Sequence, residues 1–353
     1  MRLYVDHTHL GRPVTGLERI TLELFSPDAL APLRVVPVTA RGTARMVAVQ
    51  TLGLPARLAA SSSAILLCPG FPPSPLLLPF AARVIPYVHD VFLLTRSDDL
   101  NLRAKLYMVE PFRLAVHHCS RFFVNSEDTR QKLWNFCRPD AEVTLYRPHV
   151  RNVFGLEWES RSSRPARPDR WRLLALGTVE PRKNLIAAAN LVQALRERSG
   201  HDVTLDIVGR RGWGMDWDAL EAAPGVTLHG YLPGAKVRAL IDQADAFLST
   251  SHEEGCGIPL LEAQYAGLPV IAPDDAVFHE VLGTSGIFID TKDPVAGAER
   301  LAAALARQDW RAAYVTAAKM NLGRWNRLAA TDRDVVIASI SQIVHAMDGR
   351  HTH

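Results

Sequence analysis

The chain has 353 residues, 48% of them hydrophobic and 22% charged, which excludes a disordered or low-complexity protein. The length exceeds one ordinary core and points to two domains. A net charge of +3 is too mild to call for a nucleic-acid partner, but it is unevenly spread: residues 1–165 hold 20 Lys+Arg against 14 Asp+Glu, and residues 166–353 hold 20 against 23. The basic first half suits something anionic, such as a membrane surface or a phosphate-bearing acceptor. Cys68, Cys119, Cys137 and Cys256 lack CxxC spacing, as expected of reduced thiols in a cytoplasmic protein. The N-terminus has no apolar signal-peptide core. The most apolar stretch, Leu76–Val88, is broken by Pro79, Arg83 and Pro86 and falls short of the roughly 20 apolar residues that span a bilayer. A cytoplasmic location, at most peripheral to a membrane, is expected.

In chain order, Arg2–Asp6 alternates as a strand, a loop follows through Gly11, Pro13 and Gly16, and Leu17–Phe25 has helical apolar spacing. Ala64–Cys68, Val84–Val88 and Arg121–Val124 read as buried strands. After the last, Asn125-Ser126-Glu127-Asp128 is a helix-capping signal for a helix over Asp128–Phe136. His117-His118, with Arg113 and Arg121, reads as a basic helix face. Residues 151–171, rich in Arg, Ser and Pro, read as a linker. The alternation restarts with strands at Trp171–Leu176, Val203–Val208, Val226–Leu228, Ala246–Ser249, Val270–Ala272 and Ile287–Ile289. Helices are predicted at Asn184–Glu197, Ala235–Gln243, Pro259–Ala266, 294–307 and 326–347. This is an α/β pattern of two doubly wound, mostly parallel sheets. The expected division is 1–160, 161–325 and a C-terminal helix 326–353 returning toward the first domain.

Two strings carry chemistry. In the first, a strand ends near Thr250 and enters Ser251-His-Glu-Glu254-Gly255-Cys256-Gly257-Ile258-Pro259, after which Pro259 opens a helix that Gly267 and Pro269 end. The amides and positive dipole end at Gly255–Ile258 make an anion site that small glycines let a diphosphate approach. Glu254 before the helix and Glu262, expected in its first turn, can accept hydrogen bonds from sugar and ribose hydroxyls. In the second string, Gly177-Thr-Val-Glu-Pro181-Arg182-Lys183-Asn184, two cations stand where a helix begins. Cations oppose the dipole there, and a phosphate ligand would satisfy both.

With these strings in view, the chain resembles the family-4 group of retaining glycosyltransferases, whose fold is GT-B. The resemblance rests on Glu254 and Glu262 separated by seven residues, on Gly177 with Arg182-Lys183-Asn184, and on Leu205-Asp-Ile-Val-Gly209-Arg-Arg-Gly-Trp213. It extends to Val226-Thr-Leu-His-Gly230-Tyr231 and, in the first half, to Thr15-Gly16-Leu17-Glu18-Arg19 and His89-Asp90. It departs at Cys256, where the family usually has an aromatic and the thiol could widen the donor-sugar space. It departs again at Arg147-Pro-His149, which replaces a Gly-Val-Asp, so no contact is carried over there.

The resemblance implies two Rossmann-like domains facing across a cleft and transfer of a sugar from a nucleotide diphosphate with retention. Arg182 and Lys183 would neutralise the diphosphate, Glu262 would hold the ribose, and Glu254 the donor sugar. Gly177, Asn184, Gly209, Arg210, Tyr231, Gly255, Cys256, Gly257 and Ile258 would complete the donor site. His89 would approach the sugar from the first domain, with Gly16, Arg19 and Asp90 on the acceptor side. The expected donor is GDP-mannose and the expected acceptor a glycan, lipid-linked, in surface polysaccharide synthesis, with peripheral membrane contact through the basic first domain. No Asp-x-Asp triplet stands in a plausible metal-binding loop and no convincing His cluster suggests a metal, and no cofactor beyond the donor is expected. Two alternatives stand beside this reading: a GT-B nucleotide-sugar epimerase or hydrolase, and an inactive nucleotide-binding scaffold.

Overall fold

The structure is a computed structural model and describes residues 2–10, 16–96, 105–158, 170–307 and 309–349. It divides into two compact units, Met1–His149 with Arg327–His353, and Val150–Asn326.

The first unit is built on six parallel strands: β1 (Leu3–Asp6), β2 (Val35–Val38), β3 (Ile65–Cys68), β4 (Val84–Val88), β5 (Arg121–Val124) and β6 (Glu142–Leu145), in the order β2-β1-β3-β4-β5-β6. β1, β3 and β4 are buried end to end, as expected when both faces of a parallel sheet are covered. The chain leaves β1 toward one edge and β3 toward the other. Right-handed crossovers therefore put the helix Gly16–Phe25 on one face. The helical segments Thr43–Ala59, Pro75–Arg83 and Glu110–His118 lie together on the opposite face, packed on one another. Sequence patterning missed β2, β6 and the helical run from Thr43. β2 contains Pro37 and lies at an edge, where a missing donor is tolerated, and two of its four residues are exposed. Arg121 opens β5, so of the expected basic face only Arg113, His117 and His118 share the helix Glu110–His118, and Arg113 is paired with Glu110.

The second unit repeats the plan with β7 (Arg170–Leu176), β8 (Asp202–Val208), β9 (Val226–Gly230), β10 (Ala246–Leu248), β11 (Val270–Pro273) and β12 (Gly286–Ile289), ordered β12-β11-β10-β7-β8-β9 and all parallel. One core cluster packs the helices Leu185–Ser199 and Pro294–Leu305 on one face. A second packs Gly234–Gln243, Ile258–Tyr265 and Ala276–Leu282 on the other. The chain departs in opposite directions from the adjacent strands β7 and β10, which makes the crevice at their carboxyl ends the topological switch point of this sheet.

The boundary between the units falls at His149/Val150 rather than at residue 160. Residues 150–158 are not a loose linker: Val150 and Leu156 are buried in the second core, and the Trp158 indole stacks on Tyr265 and donates to the Gln264 carbonyl at 3.0 Å. The rest of the expected linker, residues 159–169, lies outside the described residues. The C-terminal helix runs unbroken from Trp310 to Gly349, starting sixteen residues before the expected 326. Trp325 is buried in the second core, and Asn326 exchanges hydrogen bonds with both backbone groups of Val150. Beyond it, Val336 and Ile340 are fully buried, Asp332 pairs with Arg147 at 2.8 Å, and Arg333 donates to the carbonyls of Ala29 and Ala31. Arg147, which breaks the family pattern, thus holds the last helix on the first unit. Among the described residues no helix is long and apolar enough to cross a membrane.

Candidate active site

The two strings singled out in the sequence meet at the switch point of the second unit. Gly177 leaves β7 at φ 146° and Gly209 leaves β8 beside it. A Cβ on Gly209 would lie 1.7 Å from the Gly177 carbonyl oxygen, so only glycine allows these loops to touch backbone to backbone. Hydrogen bonds from Gly177 N to Val208 O, from Val179 N to Arg210 O and from Gly209 N to Gly230 O knit the ends of β7, β8 and β9 together. Over them the Arg210 guanidinium lies 4.8 Å from the centre of the Tyr231 ring, which is 64% exposed.

Pro181–Lys183 form a tight 3₁₀ turn, and Asn184 takes the left-handed conformation (φ 48°) before the helix Leu185–Ser199. The helix therefore starts one residue later than predicted, with both cations ahead of it. The loop after β10 is tied to this turn. His252 N donates to the Arg182 carbonyl at 2.9 Å, Thr250 Oγ1 to the Asn184 carbonyl at 2.8 Å, and Arg182 Nη1 to the Glu253 carbonyl at 3.1 Å. Lys183 Nζ pairs directly with Glu254 Oε1, and Arg182 Nη1 is 3.7 Å from Glu254 Oε2. Arg182 also donates twice to Glu180 Oε1, and Ser251 Oγ donates to Glu254 at 2.8 Å. Two cations thus face two carboxylates, with 13–19% of these four side chains exposed.

Burial by itself would raise the pKa of Glu254. The charges of Lys183 and Arg182 and the hydrogen bonds from Lys183 and Ser251 outweigh it and hold the carboxyl below the usual glutamate range. Gly257, in the left-handed region at φ 53°, is the N-cap of the helix Ile258–Tyr265 and brings no side chain to cap it. Lys183, Ser251, Glu254, Gly177 and Gly257 line one crevice.

Two expectations are corrected. Glu262 lies in the second turn of that helix, not the first. It is 4% exposed, and Pro259 and Leu260 are the helix residues that reach the crevice. Cys256, expected at the donor sugar, is 4% exposed and belongs to the second core cluster rather than to the crevice lining, and Gly255 beside it is buried.

Among residues that sequence reasoning missed, Asp274, Asp275, Asp290 and Lys292 surround an open pocket of about 500 Å³ that shares Ser251 with the crevice. These residues follow β11 and β12, and only the strand order brings them beside β10.

The first unit has its own switch point, between β1 and β3. There Asp6, 3% exposed, accepts from Thr8 N (2.9 Å), Thr8 Oγ1 (2.6 Å) and Gln50 Nε2 (3.2 Å), and Tyr107 Oη donates to Gln50 Oε1 at 2.9 Å. None of these residues was predicted. The polar run after β1 was the only signal, because Gln50 and Tyr107 are distant in sequence. Burial raises the Asp6 pKa against the opposing hydrogen bonds from Thr8 and Gln50 and the charge of His7.

His89, at the end of β4, contacts the Pro69 carbonyl through Nε2 at 2.7 Å. A carbonyl can only accept, so Nε2 carries the proton and Nδ1 is the acceptor nitrogen. Burial pushes its pKa down despite that bond and neighbouring Asp90, which favours the neutral ring. Asp90 accepts from Phe92 N at 3.1 Å. Gly16, exposed, and Arg19, partly buried, open the helix Gly16–Phe25; Thr15 lies outside the described residues.

Residues 157–320 match the family described as Glycosyl transferases group 1. The O-antigen chain mannosyltransferase B of Escherichia coli is 32% identical over 143 residues, covering 39% of this chain and 38% of that protein. The chain thus spans well under half the length of this relative. Two solved structures share the fold: Anabaena HepE in complex with UDP and glucose (TM-score 0.69, 15% identity, 97% of this chain and 100% of that one) and WaaG, a glycosyltransferase involved in lipopolysaccharide biosynthesis (TM-score 0.65, 16% identity, 95% and 99%).

Proposed function

From the premise that residues 157–320 form a group 1 glycosyltransferase domain in a GT-B fold, we propose that this protein transfers a sugar from a nucleoside-diphosphate donor to a glycan acceptor. The observation that carries the reading is the Arg182–Lys183–Glu254 cluster facing the uncapped start of the helix Ile258–Tyr265. Without ligand the two cations are balanced by Glu180 and Glu254. A diphosphate offers Arg182 and Lys183 stronger charge-assisted partners and accepts from the helix-start amides as well. Glu254, freed from Lys183, is then an ionised acceptor for sugar hydroxyls. Arg210 and Tyr231 flank the base, and the sugar extends toward the pocket that shares Ser251.

In the reaction the anomeric C–O bond breaks, negative charge grows on the departing phosphate oxygen, and the acceptor oxygen bonds to the anomeric carbon and gives its proton to that phosphate oxygen. Preorganised cations and amides that meet this growing charge are each worth about 2.7–4 kcal/mol at a comparable oxyanion site. We further propose that the donor is GDP-mannose, that configuration is retained, that the cation pair and helix end make a metal unnecessary, and that a lipid-linked acceptor binds the first unit at the cytoplasmic membrane face. The mannosyltransferase named above supports the first of these. His89 and Asp90, with Gly16 and Arg19, belong to the acceptor side of the reading.

The test is thermal unfolding with GDP, UDP, ADP and dTDP, with EDTA or Mg²⁺. A ligand at 100 times its Kd adds about 2.7 kcal/mol. One diphosphate, GDP, should stabilise the protein in EDTA, and Arg182→Ala should abolish the effect. Stabilisation by none of them would overturn the donor reading, and stabilisation by another base would overturn GDP-mannose.

A further inference from the structure

Asn125 follows β5 as His89 follows β4, and the two strands are direct neighbours, with Val88 beside Val124 in the register. The run Asn125-Ser126-Glu127-Asp128 reads as a helix cap, yet Ser126 performs that task by itself. It is the N-cap of the helix Glu127–Trp134, and its Oγ accepts from Thr129 N at 3.1 Å. Asn125 is 2% exposed and turns to the neighbouring strand, where its Nδ2 donates to the His89 carbonyl at 2.7 Å. Its Oδ1 is buried and has no hydrogen-bond partner among the described residues. A buried acceptor left unpaired costs about as much as a hydrogen bond returns, or more, so stability alone does not account for an amide at this position.

What the amide holds is the histidine. His89 Nε2 donates to the Pro69 carbonyl, just past β3, at 2.7 Å, and the ring meets Tyr87 edge-on at 4.8 Å. Tyr87 is fixed in turn, its hydroxyl donating to the Tyr146 carbonyl at 3.1 Å. The histidine at the end of β4 is thus tied by its ring to the end of β3 and by its backbone to the end of β5, the strands on either side. Nδ1 remains the acceptor nitrogen of a partly exposed ring.

We propose that Asn125 is a positioning residue: by holding the backbone at the end of β4, it sets where His89 presents Nδ1 to a hydroxyl of the donor sugar. The hydroxyl rests on the transferase reading, whereas the hold of Asn125 on His89 lies within the first unit and is measurable without donor. Support of this kind keeps a site residue in its productive geometry, and a misplacement of about 1 Å costs up to about 10²-fold in rate.

The test has two arms. Without donor, heteronuclear NMR of histidine-labelled protein should show wild-type His89 as the Nε2-protonated tautomer with that proton protected from exchange, and Asn125→Ala should lose the protection. With GDP-mannose, hydrolysis included, Asn125→Ala should lower turnover about 10–10²-fold. A residue that acts through His89 adds nothing once His89 is gone, so the same change in a His89→Ala background should cost less than about twofold. Stabilisation by GDP, which carries no sugar, should be unchanged. Should Asn125→Ala not fold, Asn125→Asp keeps the shape, removes only the donor and should give the same losses. An unchanged His89 signal in Asn125→Ala, or an equal loss of turnover with and without His89, would overturn the proposal. No turnover by the wild type, with the His89 signal responding as expected, would overturn only the donor reading beneath it.

Discussion

The two units are variations on one plan, and their switch points show what the plan leaves open. Both sheets are six-stranded and parallel, and in both the chain departs in opposite directions from two adjacent strands. In the second unit that crevice holds Arg182, Lys183, Glu180 and Glu254, an ion cluster beside a helix start that has no side-chain cap. In the first unit the equivalent place holds Asp6, Thr8, Gln50 and Tyr107, a chain of hydrogen bonds around one buried carboxyl. Charge invites a charged ligand, and a closed set of hydrogen bonds holds loops in place. The same topology thus gives one crevice lined by an ion cluster and another whose first task is to fix its own geometry.

The contrast can be broken most severely at Gly209. Gly209→Ala forces a Cβ to within 1.7 Å of the Gly177 carbonyl oxygen and should cost more than about 4 kcal/mol, seen as a large drop in the thermal unfolding midpoint. Lys183→Ala removes a cation from the ion cluster. Donor turnover should fall about 10²–10³-fold, while Asp6→Ala should leave the GDP-induced stabilisation intact. The two carboxyls should also respond to pH with opposite sign. The folded-state pKa of Glu254 is below its ordinary 4.5, so its stabilisation is full above about 4.5 and is lost as pH falls through the lowered value. The folded-state pKa of Asp6 is above its ordinary 3.8, so its contribution is full below about 3.8 and is lost as pH rises through the raised value. Unfolding measured across that range should show the acid-side loss diminished in Glu254→Gln and the loss on raising pH diminished in Asp6→Asn. The smallest effect is expected of Tyr107→Phe, which deletes one partly exposed hydrogen bond and should cost about 0.5–1.5 kcal/mol by chemical denaturation.

How legible these regions were follows from where their residues lie in the chain. The ion cluster comes from two short strings, each directly after a buried strand, so strand, glycine and charged residues could be read together. The chain around Asp6 draws on positions 6, 8, 50 and 107, and only folding makes them neighbours. Strands buried end to end, such as Ile65–Cys68, were plain, whereas edge strand β2, with Pro37 and exposed valine, was not. Glu262 was misplaced by a turn because the helix starts at Ile258, fixed by left-handed Gly257. Cys256 looked functional from its neighbours in the string, yet its side chain points into the core. Direction of that kind is a property of backbone angles, which composition does not carry.

The first unit is discontinuous: its sheet is complete by His149, but the helix segment that covers it begins at Arg327. During synthesis at about 5–20 residues per second, the ribosome must deliver the 177 residues of the second unit before that segment emerges, a delay of roughly 10–35 s. For that interval Arg147 has no Asp332, and the ground that Val336 and Ile340 will occupy is bare. The second unit can close as soon as its own residues are out. The order of translation therefore runs against the order of the sequence: the unit made first is finished last, and a nascent chain halted before Arg327 would carry a completed second unit behind an unfinished first one.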